Sequence, residues 1–229
     1  MKMTDLIEGR MITRYKRFFA DCEVDGETVT AHTPNTGSMK TCWEEGWPVL
    51  LSKSDNPKRK LKFTLEMTHN GATWIGVNTQ LPNKLVKEAI EEGKIPELVG
   101  FDSIKPEAKV GDSRIDLLMM FGEQRCWVEV KNVTLLGEGT TCEFPDSVST
   151  RGQKHLRELT ELKKKGDRAC MFFLVQREDV DLFRPAAAID PEYARLLKEA
   201  SSAGVEILVY QCSLGPEGVE VVKRLNFEL

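Results

Sequence analysis

From residue 8 to about residue 78, apolar residues recur at every second position in short runs broken by turn residues. The runs "RMITRYKRFFADCEV", "ETVTAHT", "WPVLLSKS", "KRKLKFTLEMT" and "GATWIGVN" predict five strands, with Asp25-Gly26 and Asn70-Gly71 as hairpin turns. Five short strands predict a small β-barrel, either an OB-fold or, nearly as well, an SH3-like barrel. At Leu81-Pro82 the period lengthens to that of a helix. "LPNKLVKEAIEEG" sets Leu81, Leu85, Ala89 and Ile90 on one stripe, with Pro82 near its start and Gly93 past its end. The order then reads strand (101–110), strand (113–121), strand (124–134), loop, helix (150–165), strand (168–176), helix (191–203) and strand (205–213). This predicts an α/β unit on a mixed sheet. The division expected is an all-β barrel over residues 1–80 and an α/β domain over 81–229, an α+β/mixed architecture overall.

"SRIDLLMMFGEQRCWVEVKN" (residues 113–132) predicts a hairpin whose charges need an explanation. Gly122 suits the first central position of a type II′ turn, flanked by Phe121 and Gln124. In that register Ile115, Leu117 and Met119 pair with Val130, Val128 and Cys126 on an apolar face. The opposite face pairs Leu118 with Trp127, Asp116 with Glu129, and Arg114 with Lys131. Facing carboxylates repel unless positive charge lies between them. Such a pair suits a hard ion such as Mg²⁺, with the Val130 carbonyl as a further ligand. Lys131, two residues from Glu129, shares its face and could orient a water for attack on a phosphodiester. A cross-strand salt-bridge quartet of Arg114, Asp116, Glu129 and Lys131 would use the same residues with no chemistry at all.

The totals narrow the setting. A net charge of −4 gives no global pull towards nucleic acid, so contacts to phosphate must be local. The six cysteines are scattered with no C-x-x-C spacing, which predicts reduced, buried thiols and not a zinc site. The amino terminus lacks a signal-peptide core and no apolar run could span a membrane, which predicts a cytoplasmic protein.

"RID" followed thirteen residues after its Asp by "EVK" resembles the PD-(D/E)XK nuclease superfamily, and a helix, a meander, a helix and a strand surround it in that superfamily's order. The resemblance implies metal ligands at Asp116 and Glu129, a catalytic lysine at Lys131, and a completing acid from the preceding helix at Glu88. It also implies a polar residue near the reacting bond at Gln153. Longer strings, "RYKRFFAD", "HTPNTGSM", "VNTQLPNKLVKEAI", "VEVKNVTL", "FPDSVSTRGQKHLREL" and "IDPEYARLL", resemble the sugar fermentation stimulation protein A family over nearly the whole chain. That family implies an OB-fold-like barrel joined to a nuclease-like domain, with DNA as partner, while the facing carboxylates and Lys131 point to Mg²⁺ or Mn²⁺ as the ion. It leaves open whether DNA is cut, whether the chain is a non-catalytic regulator of sugar-metabolism genes, or whether RNA is the substrate.

Four further clusters are candidates for gripping phosphates. "RYKRFF" interleaves Arg14, Lys16 and Arg17 with aromatics, and "DNPKRKLKF" carries Lys58, Arg59 and Lys60, a mixture that suits backbone contact and base stacking. The loop "HTPNTGSM" offers Asn35 and Thr36. Arg151 and Lys154 crowd the start of the 150–165 helix, capped by Ser149 or Thr150, where cations oppose the macrodipole unless an anion docks there. His32 and His155 are further candidates without an evident partner. The edge strands would allow an oligomer without demanding one.

Overall fold

The computed structural model describes residues 1–111 and 113–229. The alternating runs form β1 (Ile7–Tyr15), β2 (Phe19–Val24), β3 (Glu27–His32), β4 (Pro48–Lys53), β5 (Phe63–His69) and β6 (Trp74–Gly76). The first five close in the order β1-β2-β3-β5-β4, because β3 pairs in parallel with β5 while β4 returns to β1. This is the closed Greek-key ring of an OB-fold, and Met11, Cys22, Ala31, Val49, Leu51 and Leu65 fill it.

Two strand assignments differ from expectation. Residues 10–24 are not one strand but the β1–β2 hairpin, turned over residues 16–18. Lys16 and Arg17 hold φ of 48° and 63° there. Side chains other than Gly, Asn and Asp seldom adopt that region, so this turn leaves no mark in composition. The last expected barrel strand is reduced to β6, which lies outside the ring on the stretch of β5 that β3 leaves free.

Beyond the barrel come α1 (Pro82–Glu91), a 3₁₀ turn (Pro96–Leu98), β7 (Ser103–Val110), β8 (Ser113–Phe121), β9 (Gln124–Val133), β10 (Leu135–Leu136) and β11 (Thr141–Phe144). They are followed by α2 (Thr150–Lys164), β12 (Arg168–Val175), β13 (Leu182–Pro185), α3 (Pro191–Ser202), β14 (Glu206–Gly215), β15 (Gly218–Arg224) and β16 (Asn226–Phe227). The main sheet has the order β15-β14-β12-β9-β8-β7, and β12 runs parallel to both its neighbours. A second, small sheet, β10-β11-β13-β16, occupies stretches expected as loop. The order of helix, three-stranded meander, helix and strand is the one expected from the sequence.

Both faces of the main sheet are covered, so β12 is apolar at every position after its first. On one face Cys170, Phe172 and Leu174 meet Leu85, Val86 and Ile90 of α1. On the other, Met171, Phe173 and Val175 meet Leu156 and Leu159 of α2 and Leu197 of α3. Leu50 and Met67 of the barrel wall belong to the α1 cluster, so barrel and sheet pack against each other through apolar side chains. All six cysteines are free and buried. Among the described residues no helix is long and apolar enough to cross a membrane.

The junction is tied by Arg177, whose side chain is fully buried. Its guanidinium grips Asp179 with two bonds of 2.7 Å and donates to the Thr134 carbonyl at 2.8 Å. Asp179 in turn accepts from Asn70 of the barrel at 2.9 Å. The neighbouring Gln176 carbonyl accepts from Gly76 N–H at 3.0 Å. A side chain at Gly76 would overlap Gln176 and Leu214, so glycine lets β6 approach this closely. Burial pushes the Asp179 carboxyl up, but the bonds from Arg177 and Asn70 outweigh it and hold it below its ordinary value.

Replacing Arg177 by Met should cost about 3–5 kcal/mol in urea unfolding, because Asp179 is then left without its counter-charge. The pair also has a pH signature. A carboxylate depressed in the folded state contributes fully above its unfolded pKa, about 3.9, and the contribution is lost as pH falls through the lower folded value. Asp179→Asn should therefore lower stability at neutral pH and flatten its decline on acidification, a comparison readily made by thermal unfolding across pH 2–5.

Candidate functional site

Asp116 and Glu129 meet where β8 and β9 part. From the turn inward the hairpin has the expected register, Phe121 to Gln124 through Leu117 to Val128, with Gly122 at a φ of 61°. The expected pairs beyond it, Ile115 with Val130, Asp116 with Glu129 and Arg114 with Lys131, are not formed in the ladder. Asp116 is the physical reason. Its Oδ2 accepts the Val130 N–H at 2.8 Å, so a side chain takes the bond a neighbouring strand carbonyl would have taken. Past this point β8 stays with β7, pairing Ile115 with Ala108, while β9 stays with β12 as far as Val133. Ile115 accordingly packs in the α2 and α3 cluster, not in line with Leu117 and Met119.

Four elements converge on the opening. From α1, Asn83 donates to Asp116 Oδ1 at 2.7 Å. From β9, Lys131 Nζ donates to Glu129 Oε1 at 2.5 Å. From α2, His155 Nδ1 bonds the same oxygen and lies 3.2 Å from Lys131 Nζ. From α3, the buried Tyr193 hydroxyl has no partner among the described residues, and burial followed by the negative charges of Glu129 and Asp190 pushes its ionisation up. Glu129 Oε2 is also buried without a partner among the described residues. An unsatisfied oxygen of this kind costs about 1–3 kcal/mol, and more when it carries charge.

The two carboxyls are driven apart. Burial pushes Asp116 up, and the charge of Glu129 adds to that, against the Val130 N–H, Lys131 and Asn83. Burial also pushes Glu129 up, but the His155 hydrogen bond and the Lys131 charge outweigh it and leave Glu129 below its ordinary value. Neighbouring acids with opposed shifts are common where chemistry is done. The salt-bridge quartet is not what forms, since Glu129 takes both Lys131 and His155 while Arg114 lies exposed beside Lys109.

The other expected site residues scatter. Glu88 does not reach the opening; it pairs with the Met1 amino group at 2.7 Å, on a separate cleft of about 570 Å³. Asn83 lies five residues earlier, roughly 140° around the helix, and takes the place expected of an acid. Gln153 spends its amide on Asp190, which also caps α3 at Tyr193 N–H and accepts from Ser149 N–H. Arg14 is committed to the carbonyls of Arg17, Asn35 and Gly37, and Asn35 is buried with its amide on Val77 and Gly37. Thr36 is exposed, on a cleft of about 280 Å³ shared with Asn132 and Ser149. Lys16, Arg17, Lys58, Lys60, Arg151 and Lys154 are exposed, while Arg59 is half-buried and bonds Thr64 at 3.0 Å. The residues missed by sequence reasoning are Asn83 and the partners of His155. A histidine within the inward stripe Gly152, Leu156, Leu159 and Leu162 of α2 was the available signal.

The donors suit a hard divalent ion to a limited extent. Among the described residues no group of three His, Cys, Asp or Glu side chains is placed to hold an ion, so the carboxyl donors at hand are Asp116 and Glu129 through its free oxygen. A Mg²⁺ site of one or two carboxylates completed by water and phosphate oxygens is of that kind.

A closed five-stranded OB-type barrel joined to a mixed sheet with helices on both faces defines the class. Residues 12–77 match the SfsA N-terminal OB domain and residues 80–218 the sugar fermentation stimulation protein RE domain. The sugar fermentation stimulation protein homolog of Geotalea uraniireducens (strain Rf4) is 53% identical over 226 residues, covering 98% of this chain and 97% of its own. That of Geobacter sulfurreducens is 54% identical over 222 residues, covering 96% and 95%. The structure of Pyrococcus furiosus SfsA in complex with Ca²⁺ superposes with a TM-score of 0.92 at 30% identity, covering 100% of this chain and 98% of the other. The chain belongs to the sugar fermentation stimulation protein family.

Asn83→Leu removes a donor to ionised Asp116 and should raise that carboxyl's pKa further. A ¹³C carboxylate titration by NMR reads this directly, and an unmoved midpoint would contradict the role given to Asn83.

Proposed function

We propose that the protein binds DNA through its barrel and hydrolyses a backbone phosphodiester at Asp116, Glu129 and Lys131 with Mg²⁺ or Mn²⁺. The observation that carries this reading is the parted hairpin, with two carboxyls, one buried carboxylate oxygen left unpaired and a lysine beside it. Asp116 and Glu129 would hold the ion, with the Val130 carbonyl as a further ligand. When bound, the ion supplies positive charge at a phosphate oxygen and acidifies water. Lys131 holds a proton on Nζ beside that position, ready to bond a phosphate oxygen or the attacking water. The Ca²⁺ complex of the Pyrococcus furiosus relative supports a divalent ion in this family.

For DNA, the support comes from the loops that OB-folds use for oligonucleotides, those between the first two and the last two barrel strands. The first presents Lys16 and Arg17 beside the exposed Tyr15 and Phe18; the second presents Lys58 and Lys60. They are neighbours through β3, where His32 pairs with Phe19 on one side and with Thr64, the partner of Arg59, on the other. Exposed aromatics among cations grip and stack single-stranded bases. A second reading is binding without cleavage, as a regulator on the same fold. It is favoured by the Lys131 ammonium being engaged with Glu129 and by the two-carboxylate donor set.

Incubation with single-stranded DNA, duplex DNA and RNA, with and without Mn²⁺, separates these. Cleavage that needs the ion and is lost in Asp116→Ala and Lys131→Ala supports hydrolysis, whereas binding that survives in both variants without any product supports the regulator. Cleavage of RNA alone would point to RNA processing. In either DNA reading, Lys58→Ala and Lys60→Ala should each reduce the slope of log affinity against log salt by about 0.7–0.9.

A further inference from the structure

We infer that His155 is a positioning residue that turns Glu129 into a ligand through one defined oxygen, Oε2. The inference rests on the metal reading above and concerns which atom is presented, and by what.

Glu129 is 2% exposed, so water does not orient its carboxylate. Two donors from different elements, Lys131 Nζ of β9 and His155 Nδ1 of α2, converge on the same oxygen, Oε1. The contact to His155 requires a proton on Nδ1, because a bare ring nitrogen and a carboxylate oxygen are both acceptors and would repel at that range. Lys131 Nζ, 3.2 Å from Nδ1, then has no acceptor there and directs its bond to Oε1 as well. The second oxygen, Oε2, is left buried and, among the described residues, unpartnered. Donors shared evenly would have satisfied both oxygens and left nothing for an ion.

His155 is itself fixed. It is 3% exposed within the inward stripe of α2, beside Leu156 and Leu159. The start of that helix is capped by Ser149 and moored through Asp190 to the start of α3. A helix anchored at its start thus delivers one ring proton to one carboxylate oxygen, as outer-shell groups do for ligating carboxylates elsewhere.

The test is calorimetric titration of the full chain with Mn²⁺ and with Ca²⁺ alone, for the wild type, His155→Leu and His155→Asn. Thermal unfolding of each serves as the check on folding. Asn can place an amide donor near Nδ1; Leu fills the space without one. His155→Leu should weaken ion binding by about 10–100-fold, and His155→Asn should recover most of it. A folded His155→Leu with wild-type affinity overturns the inference, and so does an Asn variant as weak as the Leu variant. A wild type that binds neither ion overturns the metal reading itself, a separate and recognisable failure. If His155→Leu does not fold, the ¹⁵N imidazole spectrum of the wild type decides, since it needs neither variant nor ion. A proton on Nδ1 supports the inference, and a bare Nδ1 with the proton on Nε2 overturns it.

Discussion

The bond between the Asp116 carboxylate and the Val130 N–H is the constraint on which the site depends. A sheet consumes its own backbone groups, so an antiparallel pair that runs to its end leaves no gap for a ligand. Here a side chain intercepts one ladder bond, and the strands separate without leaving that amide unsatisfied. β8 remains satisfied by β7 and β9 by β12, so the gap opens in a sheet that is otherwise complete. Each acid then sits on a strand that is rigid for reasons of its own. Sites carried by strands hold their geometry more closely than sites carried by loops.

Around that gap the polar groups are arranged by elements with other duties. α1 buries Leu85 and Val86 and offers Asn83; α2 buries Leu156 and Leu159 and offers His155. The opposed shifts of the two carboxyls follow from this division of partners. Asp116 receives neutral donors that only partly offset burial and the charge of Glu129, while Glu129 receives an ammonium and a ring N–H that more than offset it.

Much of this was legible in the sequence, for local reasons. Gly122 set the hairpin register, Pro82 and Gly93 bounded α1, and Ser149 capped α2, each through chemistry confined to a few residues. The parting of β8 and β9 was not legible. Alternation says which face Asp116 takes, but not that its carboxylate will turn back onto the backbone. The choice of Asn83 over Glu88 depends on how far α1 is rotated against the sheet, which packing decides and its stripe alone leaves loose. The turn at Lys16 and Arg17 uses residues with no preference for it, and the burial of Arg177 follows from a junction that no local pattern encodes. Charged residues proved the hardest to assign. Arg177 is buried and Arg14 half-buried with its guanidinium spent on carbonyls, while Lys16 and Lys58 are outside, and composition does not distinguish them.

The placement of Leu50 and Met67 in the cluster that also holds α1 and the main sheet bears on how the molecule comes apart. Parts with separate cores melt separately and can be cut apart at a linker. Here the barrel's outer wall is the floor of the neighbouring core, so isolating the barrel would bare apolar surface on both sides of the cut. The two architectures, each with apolar packing of its own, are joined across a shared apolar interface and not merely by a linker.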